Sequence, residues 1–294
     1  MTQLDTSSTG TDHNNMQYAV ATNKFTDEQL ADIYSRARTD YIVPMPMNAQ
    51  RIREYIDQYD VDLEHSYVAI DPSDDELNGI IMLGLRGERG WITRLGVLPE
   101  RRRRHVGQFL MDQVIDVARA KELSLVQLEV IKGNEPAQRL FKKYGFEETR
   151  ELLVIRRAPK KLDETLLLKE GISVTSLDSE IPERLAHREK GASWVEETAS
   201  LLNMNNIQGY ELTLPDGEKG WVVFQKTAFQ LQHIVMNPDA SPSMMRALLS
   251  QVHSDHPRYD TKVENIPLAH PTWPIFEEFG YVISFQRIEM FLHI

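Results

Sequence analysis

Apolar and polar positions along this chain repeat with two periods, near 3.6 residues and near two, and the switches between them mark its elements. Residues 17–21 read as a short strand and 27–38 as a helix with Thr26 as its N-cap. Pro44 and Pro46 interrupt the pattern, and a second helix follows over 49–59. Residues 66–70 and 79–85 alternate as strands around the Asp71-Pro-Ser-Asp-Asp turn. Gly87-Glu-Arg-Gly90 reads as a hairpin turn, and the strand 91–98 is closed by Pro99. Over 106–121, Val106, Phe109, Leu110, Val114, Val117 and Ala118 keep the spacing of a helix's buried face. A strand over 123–131, a helix over 135–144 and a strand over 146–156 complete this half. Antiparallel strands followed by a βαβα unit predict an α/β fold, a mixed sheet with helices on both faces.

Pro159 and the lysines beside it replace the apolar pattern, which marks a boundary near residue 158. A similar order then recurs. Residues 172–177 are extended, 181–190 and 194–202 helical, and 210–214, 221–225 and 228–236 are strands. A helix over 243–253, a strand over 261–266, a helix over 271–279 and a strand over 281–292 follow. Phe141-Lys-Lys-Tyr-Gly145-Phe146 matches Phe276-Glu-Glu-Phe-Gly280-Tyr281 at an offset of 135, and Val97-Leu-Pro99 matches Met236-Asn-Pro238 at 139. Two matches in the same order predict a duplicated domain, with copies over 17–158 and 159–294 and a disordered polar tail over 1–16.

Composition narrows the classes. The chain has 294 residues and no cysteine, so disulfides, thiolate metal sites and a cysteine nucleophile are excluded. No apolar run is long enough for a membrane span, and the polar start lacks a signal-peptide core, so a cytoplasmic protein with no membrane partner is expected. The net charge of −11 disfavours nucleic acid and suits a cationic small molecule or basic peptide. The charge is uneven: residues 1–80 carry −10, residues 81–159 carry +6, and residues 160–294 carry −7. Either these are solvated faces, or an anionic ligand belongs to the middle segment and a cation to the first.

The middle segment supplies a candidate. A strand, a basic loop with glycine and a helix N-terminus form a pyrophosphate cradle, because first-turn N–H groups and the helix dipole both face the anion. The loop is Arg101-Arg-Arg-Arg-His-Val-Gly107-Gln, and no acid follows until Asp112.

Leu95-Gly-Val-Leu-Pro-Glu-Arg-Arg-Arg-Arg-His-Val-Gly107 resembles the acyl-CoA signature of the GNAT superfamily of N-acetyltransferases, with Arg102 and Gly107 at matching positions and His105 where a glycine is usual. Asn134-Glu-Pro-Ala137-Gln-Arg-Leu-Phe141-Lys-Lys-Tyr-Gly145-Phe146 resembles the family's second hallmark. The resemblance implies a tandem GNAT fold with an acetyl-CoA site in the first copy. It implies that the backbone of Leu95, Gly96 and Val97 pairs with the pantetheine arm. Arg102, Arg103, Arg104, His105, Val106, Gly107 and Gln108 would cradle the pyrophosphate. Asn134 would contact the pantetheine, or else simply cap its helix.

The implied reaction is direct acetyl transfer to a primary amine, which needs a base because free amines are protonated at neutral pH. Glu129 sits among apolar neighbours in a strand, and some family members place a base there; the alternative is a solvent-facing glutamate. The family's proton donor to the thiolate is a tyrosine at the position of Phe141, beside the cofactor. Phenylalanine cannot donate, and Tyr144 lies three residues on. Asp40 and Tyr41 are candidates for lining the amine pocket. The nine histidines show no ligand spacing, so no metal is expected.

In the second half Asp239-Ala-Ser-Pro-Ser replaces the basic loop, and Ala269 stands where Asn134 would recur. A degenerate copy without CoA is expected. The favoured reading is an acetyl-CoA-dependent N-acetyltransferase for a small cationic amine. Competing readings are acetylation of a protein N-terminus or lysine, a non-catalytic acyl-CoA sensor, and a scaffold that forms a homo-oligomer.

Overall fold

The computed structural model describes residues 17–43, 46–73, 76–188 and 191–294. The tail expected over 1–16 lies outside the described residues. Contacts divide the chain into two compact units, one of residues up to Arg53 with Asp62–Leu123 and Ile294, the other of Glu54–Val61 with Ser124–His293.

The first unit holds β1 (Tyr18–Ala21), β2 (Tyr67–Ile70), β3 (Leu77–Arg86) and β4 (Arg89–Val97), each antiparallel to the next. α1 (Asp27–Arg36) starts as expected at Thr26, where a capping box pairs Thr26 Oγ1 with the Gln29 N–H and Gln29 Oε1 with the Thr26 N–H. α2 spans Ala49–Gln58. At the β3–β4 hairpin Gly87 has φ +55, a left-handed conformation that suits glycine. α3 (Val106–Ala120) packs against β2, β3 and β4.

The buried face of α3 is Val106, Leu110, Met111, Val114, Ile115 and Ala118, whereas Phe109 and Val117 are only half-buried. Met111 and Ile115 complete the i, i+4 ridge against the sheet, so the stripe lies slightly round the helix from the expected one. Gly79 allows this close packing. A Cβ there would lie 2.6 Å from the Gly96 carbonyl and 3.2–3.3 Å from Leu110 and Val106.

The second unit holds β5 (Leu125–Ile131), α4 (Glu135–Lys143), β6 (Glu147–Arg157), β7 (Ser173–Leu177), α5 (Ile181–Ala186), α6 (Thr198–Leu202), β8 (Ile207–Thr213), β9 (Lys219–Lys226), β10 (Gln230–Met236), α7 (Pro242–Asp255), β11 (Asp260–Pro267), α8 (Trp273–Glu278) and β12 (Val282–His293). The helix expected over 194–202 is broken: Trp194–Glu196 is a 3-10 turn, and extended Glu197 (ψ 152°) separates it from α6. Trp194 is fully buried and donates its indole N–H to the Tyr59 carbonyl at 2.9 Å.

The strands of this unit run β5-β12-β6-β11-β10-β9-β8-β7. The last strand of the chain, β12, therefore lies between β5 and β6, antiparallel to both. In return β6, which ends the first half, lies between β12 and β11. Each half places its final strand in the sheet of the other. This exchange is why the compact units do not follow the repeat boundary near residue 158.

The duplication is also visible in backbone detail. β4 bulges against β3 between the pairs Ile80↔Gly96 and Met82↔Thr93, with Arg94 at φ +54. β10 bulges against β9 between Gln232↔Gln225 and Val235↔Val223, with His233 at φ +52. Arg94 and His233 are 139 residues apart, the offset of the Val97/Met236 match. Two left-handed non-glycine residues at one repeat position mark an inherited bulge.

Candidate active site

In the first unit the chain leaves β4 with the Leu98 N–H bonded to the Asn78 carbonyl, then makes a 3-10 turn over Pro99–Arg101. Arg103 and His105 have φ +62 and +58, and His105 is the N-cap of α3. A left-handed residue followed by a helical one turns successive N–H groups toward one point, a backbone nest for anions. No side chain caps α3 and its first turn contains no acid. Arg103, Arg104 and His105 are exposed around that end, and Gly107 is half-buried. The donor set fits a diphosphate: the first-turn N–H groups of α3, which the His105 side chain does not cap, the helix dipole, and two exposed guanidiniums.

Arg102 has a different task. Its guanidinium grips Asp40 in a bidentate pair at 2.6 and 2.7 Å and also reaches the carbonyls of Val97 and Ala37, both at 3.2 Å. It ties the end of β4 to the segment after α1 with an exposed, intramolecular ion pair. The Arg102 hydrogen bonds hold the Asp40 carboxyl below its usual range. Tyr41 lies under the Arg38 guanidinium, 4.0 Å from the ring centre. Gly96 packs where a Cβ would lie 3.0 Å from the Ala37 Cβ, and half-buried Leu95 and Val97 flank it.

In the second unit Asn134 is the N-cap of α4 and accepts the Ala137 N–H at 3.4 Å, the capping reading of that residue. Phe141 is buried, edge-to-face with Phe146 at 6.1 Å. Tyr144 ends the helix, half-buried. Glu129 stands half-buried on β5 between buried Leu128 and Val130. It does not simply point into solvent: Asn265 Nδ2 lies 3.5 Å from its Oε1, and Arg287 feels its charge. Arg287 Nη1 bonds Asn265 Oδ1 at 2.8 Å and Glu264 Oε2 at 2.7 Å.

Asn265, Arg287 and Glu264 escaped the sequence reading. The signal for Glu264 was present, since it follows Glu129 at the same offset of 135 as Phe276 follows Phe141. Nothing in the sequence pointed to Arg287, because its neighbours come from the strand exchange.

The second copy handles its equivalent helix end in another way. Ser241 caps α7 through the Met244 N–H, and the Glu218 carboxylate accepts the Ser241 N–H at 2.9 Å and its hydroxyl at 2.6 Å. A carboxylate of the protein itself sits at this N-cap, whereas no side chain caps α3. The acid at this helix end is Glu218, from the turn before β9. Gly220 beside it has no room for a Cβ, which would lie 2.3 Å from Met244.

Among the described residues no group of three or more His, Asp or Glu side chains is placed to hold a metal. Among them, too, no helix is long and apolar enough to cross a membrane.

Residues 28–146 match the family model described as Acetyltransferase (GNAT) family. Over 81 residues the chain is 30% identical to a Bacillus subtilis protein described as a candidate ribosomal protein bS18-alanine N-acetyltransferase, which covers 28% of this chain and 53% of that protein. The chain thus spans about half the length of this curated relative. A solved tandem GNAT protein from the clavulanic acid biosynthesis pathway superimposes with a TM-score of 0.68 at 13% identity, covering 95% of this chain and 98% of its own. A GCN5-related N-acetyltransferase from Sphaerobacter thermophilus gives 0.70 at 13% identity, with 96% of each chain covered. At such identities these two structures speak for the fold. Residues 28–146 thus match the GNAT acetyltransferase family model, and the chain as a whole has the fold of tandem GNAT proteins.

Proposed function

We propose that this protein is an acetyl-CoA-dependent N-acetyltransferase whose acceptor is a primary amine, with a small cationic molecule favoured. The observation that carries this reading is the open N-terminus of α3 behind left-handed His105. The copies are taken as residues 17–158 and 159–294. Acetyl-CoA would supply an activated acetyl thioester. Backbone N–H groups of Val106, Gly107 and Gln108, with Arg103 and Arg104, would hold its diphosphate. Arg102 would act by shaping the loop, the backbone of Leu95, Gly96 and Val97 would receive the pantetheine, and Asn134 would contact it.

Glu129 is the proposed base. It would take a proton from the ammonium, directly or through water, so that the neutral amine forms the C–N bond as the C–S bond breaks. Tyr144 is the candidate donor of a proton to the leaving thiolate; Phe141 has no proton to give. The second copy would not bind CoA, because Glu218 and Ser241 already satisfy the start of α7.

A second reading, acetylation of a protein N-terminus, is favoured by the alanine acetyltransferase description of the Bacillus subtilis relative. Parallel thiol-release assays with small diamines or amino sugars and with alanine-terminated peptides separate the two. Turnover confined to peptides would replace the small-amine reading.

A further inference from the structure

Glu129 and Glu264 occupy one position of the repeat. Val126-Gln-Leu-Glu129-Val-Ile131 and Thr261-Lys-Val-Glu264-Asn-Ile266 align at an offset of 135, and the glutamates lie on β5 and β11. Their surroundings have diverged. Glu264 bonds Arg287 at 2.7 Å and the Lys262 ammonium. Burial works against its charge, but Lys262 and Arg287 hold its carboxyl well below the usual range. Bound directly by two cations, the Glu264 carboxylate is a weaker base than one without such contacts and is committed to an ion-pair network.

What Glu264 does instead is fix Arg287. The guanidinium also donates to Asn265 Oδ1 at 2.8 Å. Once Oδ1 accepts from Arg287, the amide's NH2 is its only other polar end, and that end faces Glu129 Oε1 at 3.5 Å. Asn265 is 4% exposed and sits in a bulge of β11 at φ +57, a conformation asparagine tolerates. Burial opposes the charge on Arg287, but the carboxylates of Glu264 and Glu129 sustain it.

We propose that Arg287, anchored by Glu264 and relayed through Asn265, is the positioning residue that keeps Glu129 ionised and oriented. The significance for function rests on the proposed role of Glu129 as base. It gives the second half a task in the first half's chemistry: β12 carries Arg287 beside β5 only because the final strands are exchanged.

Other charged groups lie on the elements around Glu129. Glu289 lies opposite it on β12, but its carboxylate is held by Arg150 at 2.6 Å and by Thr149. On β11 stand Glu264 and Lys262; Tyr55 of α2 acts on Arg287, and His233 of β10 acts on Glu264. His233 is in turn bonded to Glu196 at 2.8 Å.

The test is a carbon-13 carboxyl NMR titration of Glu129 in the free full-length protein, with its signal assigned by its loss in Glu129→Gln. Arg287→Gln should move the Glu129 titration upward by about one pH unit, since the cation coupled to its carboxylate is removed. Arg287→Lys should restore it. Glu264→Gln should move it in the opposite direction, because it deletes an anion while keeping the cation. Opposite shifts are what a merely structural role would not produce. An unmoved titration, or shifts of one sign in both variants, would overturn the inference. Glu264→Gln tests it alone if Arg287→Gln does not fold, with no downward shift as the overturning result. The base role fails separately, if Glu129→Gln leaves the pH profile of thiol release unchanged.

Discussion

His105 shows how one side chain can sit against the preference of its backbone. Its φ of +58 is a conformation in which a Cβ crowds the backbone, and it opens the helix that forms the anion cradle. His105→Gly should therefore stabilise the protein by roughly 0.5–1 kcal/mol, read as a raised denaturation midpoint, after allowing for glycine's greater freedom in the unfolded chain. His253 makes a prediction in pH. It is fully buried, bonded to the Tyr281 hydroxyl at 2.9 Å, and burial, with Arg157 and His256 nearby, pushes its pKa down to about 3. The unfolded chain binds this proton below about pH 6.5 while the folded chain does not, so stability falls as pH drops from about 6.5 toward 3. His253→Gln should remove up to about 1.4 kcal/mol per pH unit of that slope, measured by denaturant unfolding across the window. At this scale the sequence revealed residue types but not their engagements. Arg102 read as the signature arginine of a pyrophosphate cradle, yet its guanidinium pairs with Asp40. The capping of Asn134 was legible because it depends only on the next turn of its own helix.

Elements were the most legible level, because periodicity is a local property. Apart from the broken helix over 194–202, strands and helices follow one another in the expected order. The break after Glu196 and the rotated stripe of α3 depend on packing, so the pattern alone did not resolve them. Strand partners were beyond reach: β propensity says that residues 282–293 extend, not that they pair with β5 and β6. The exchange predicts that residues 17–158 expressed alone will not fold stably, since β5 and β6 then have a gap where β12 belongs. Co-expression with residues 159–294 should restore a folded complex, detected by co-purification and cooperative melting. A separately folded 17–158 would contradict the exchanged sheet. At α7, Glu218→Ala should cost about 1–2 kcal/mol through the lost cap contacts. It should create no second CoA site, checked by binding stoichiometry in calorimetry.

For the whole molecule, the charge pattern acquires a location. The +6 segment contains the α3 loop, and the −10 segment contains α1, α2 and the early strands. CoA affinity should therefore fall with rising salt, and Arg103→Ala combined with Arg104→Ala should weaken it about tenfold or more and flatten that dependence. Unchanged affinity in the double variant would remove the loop from the cofactor site. The central claim is acetyl transfer to an amine, and thiol release from acetyl-CoA by the full-length protein tests it most directly. The panel should contain diamines, amino sugars, and alanine- and lysine-containing peptides, followed from about pH 6 to about pH 9, where more of each amine is neutral. The account predicts amine-dependent release that saturates, is strongest with a small cationic amine, and loses its acid limb in Glu129→Gln. Tight CoA binding without release for any amine at any of these pH values would contradict it and leave an acyl-CoA sensor in its place.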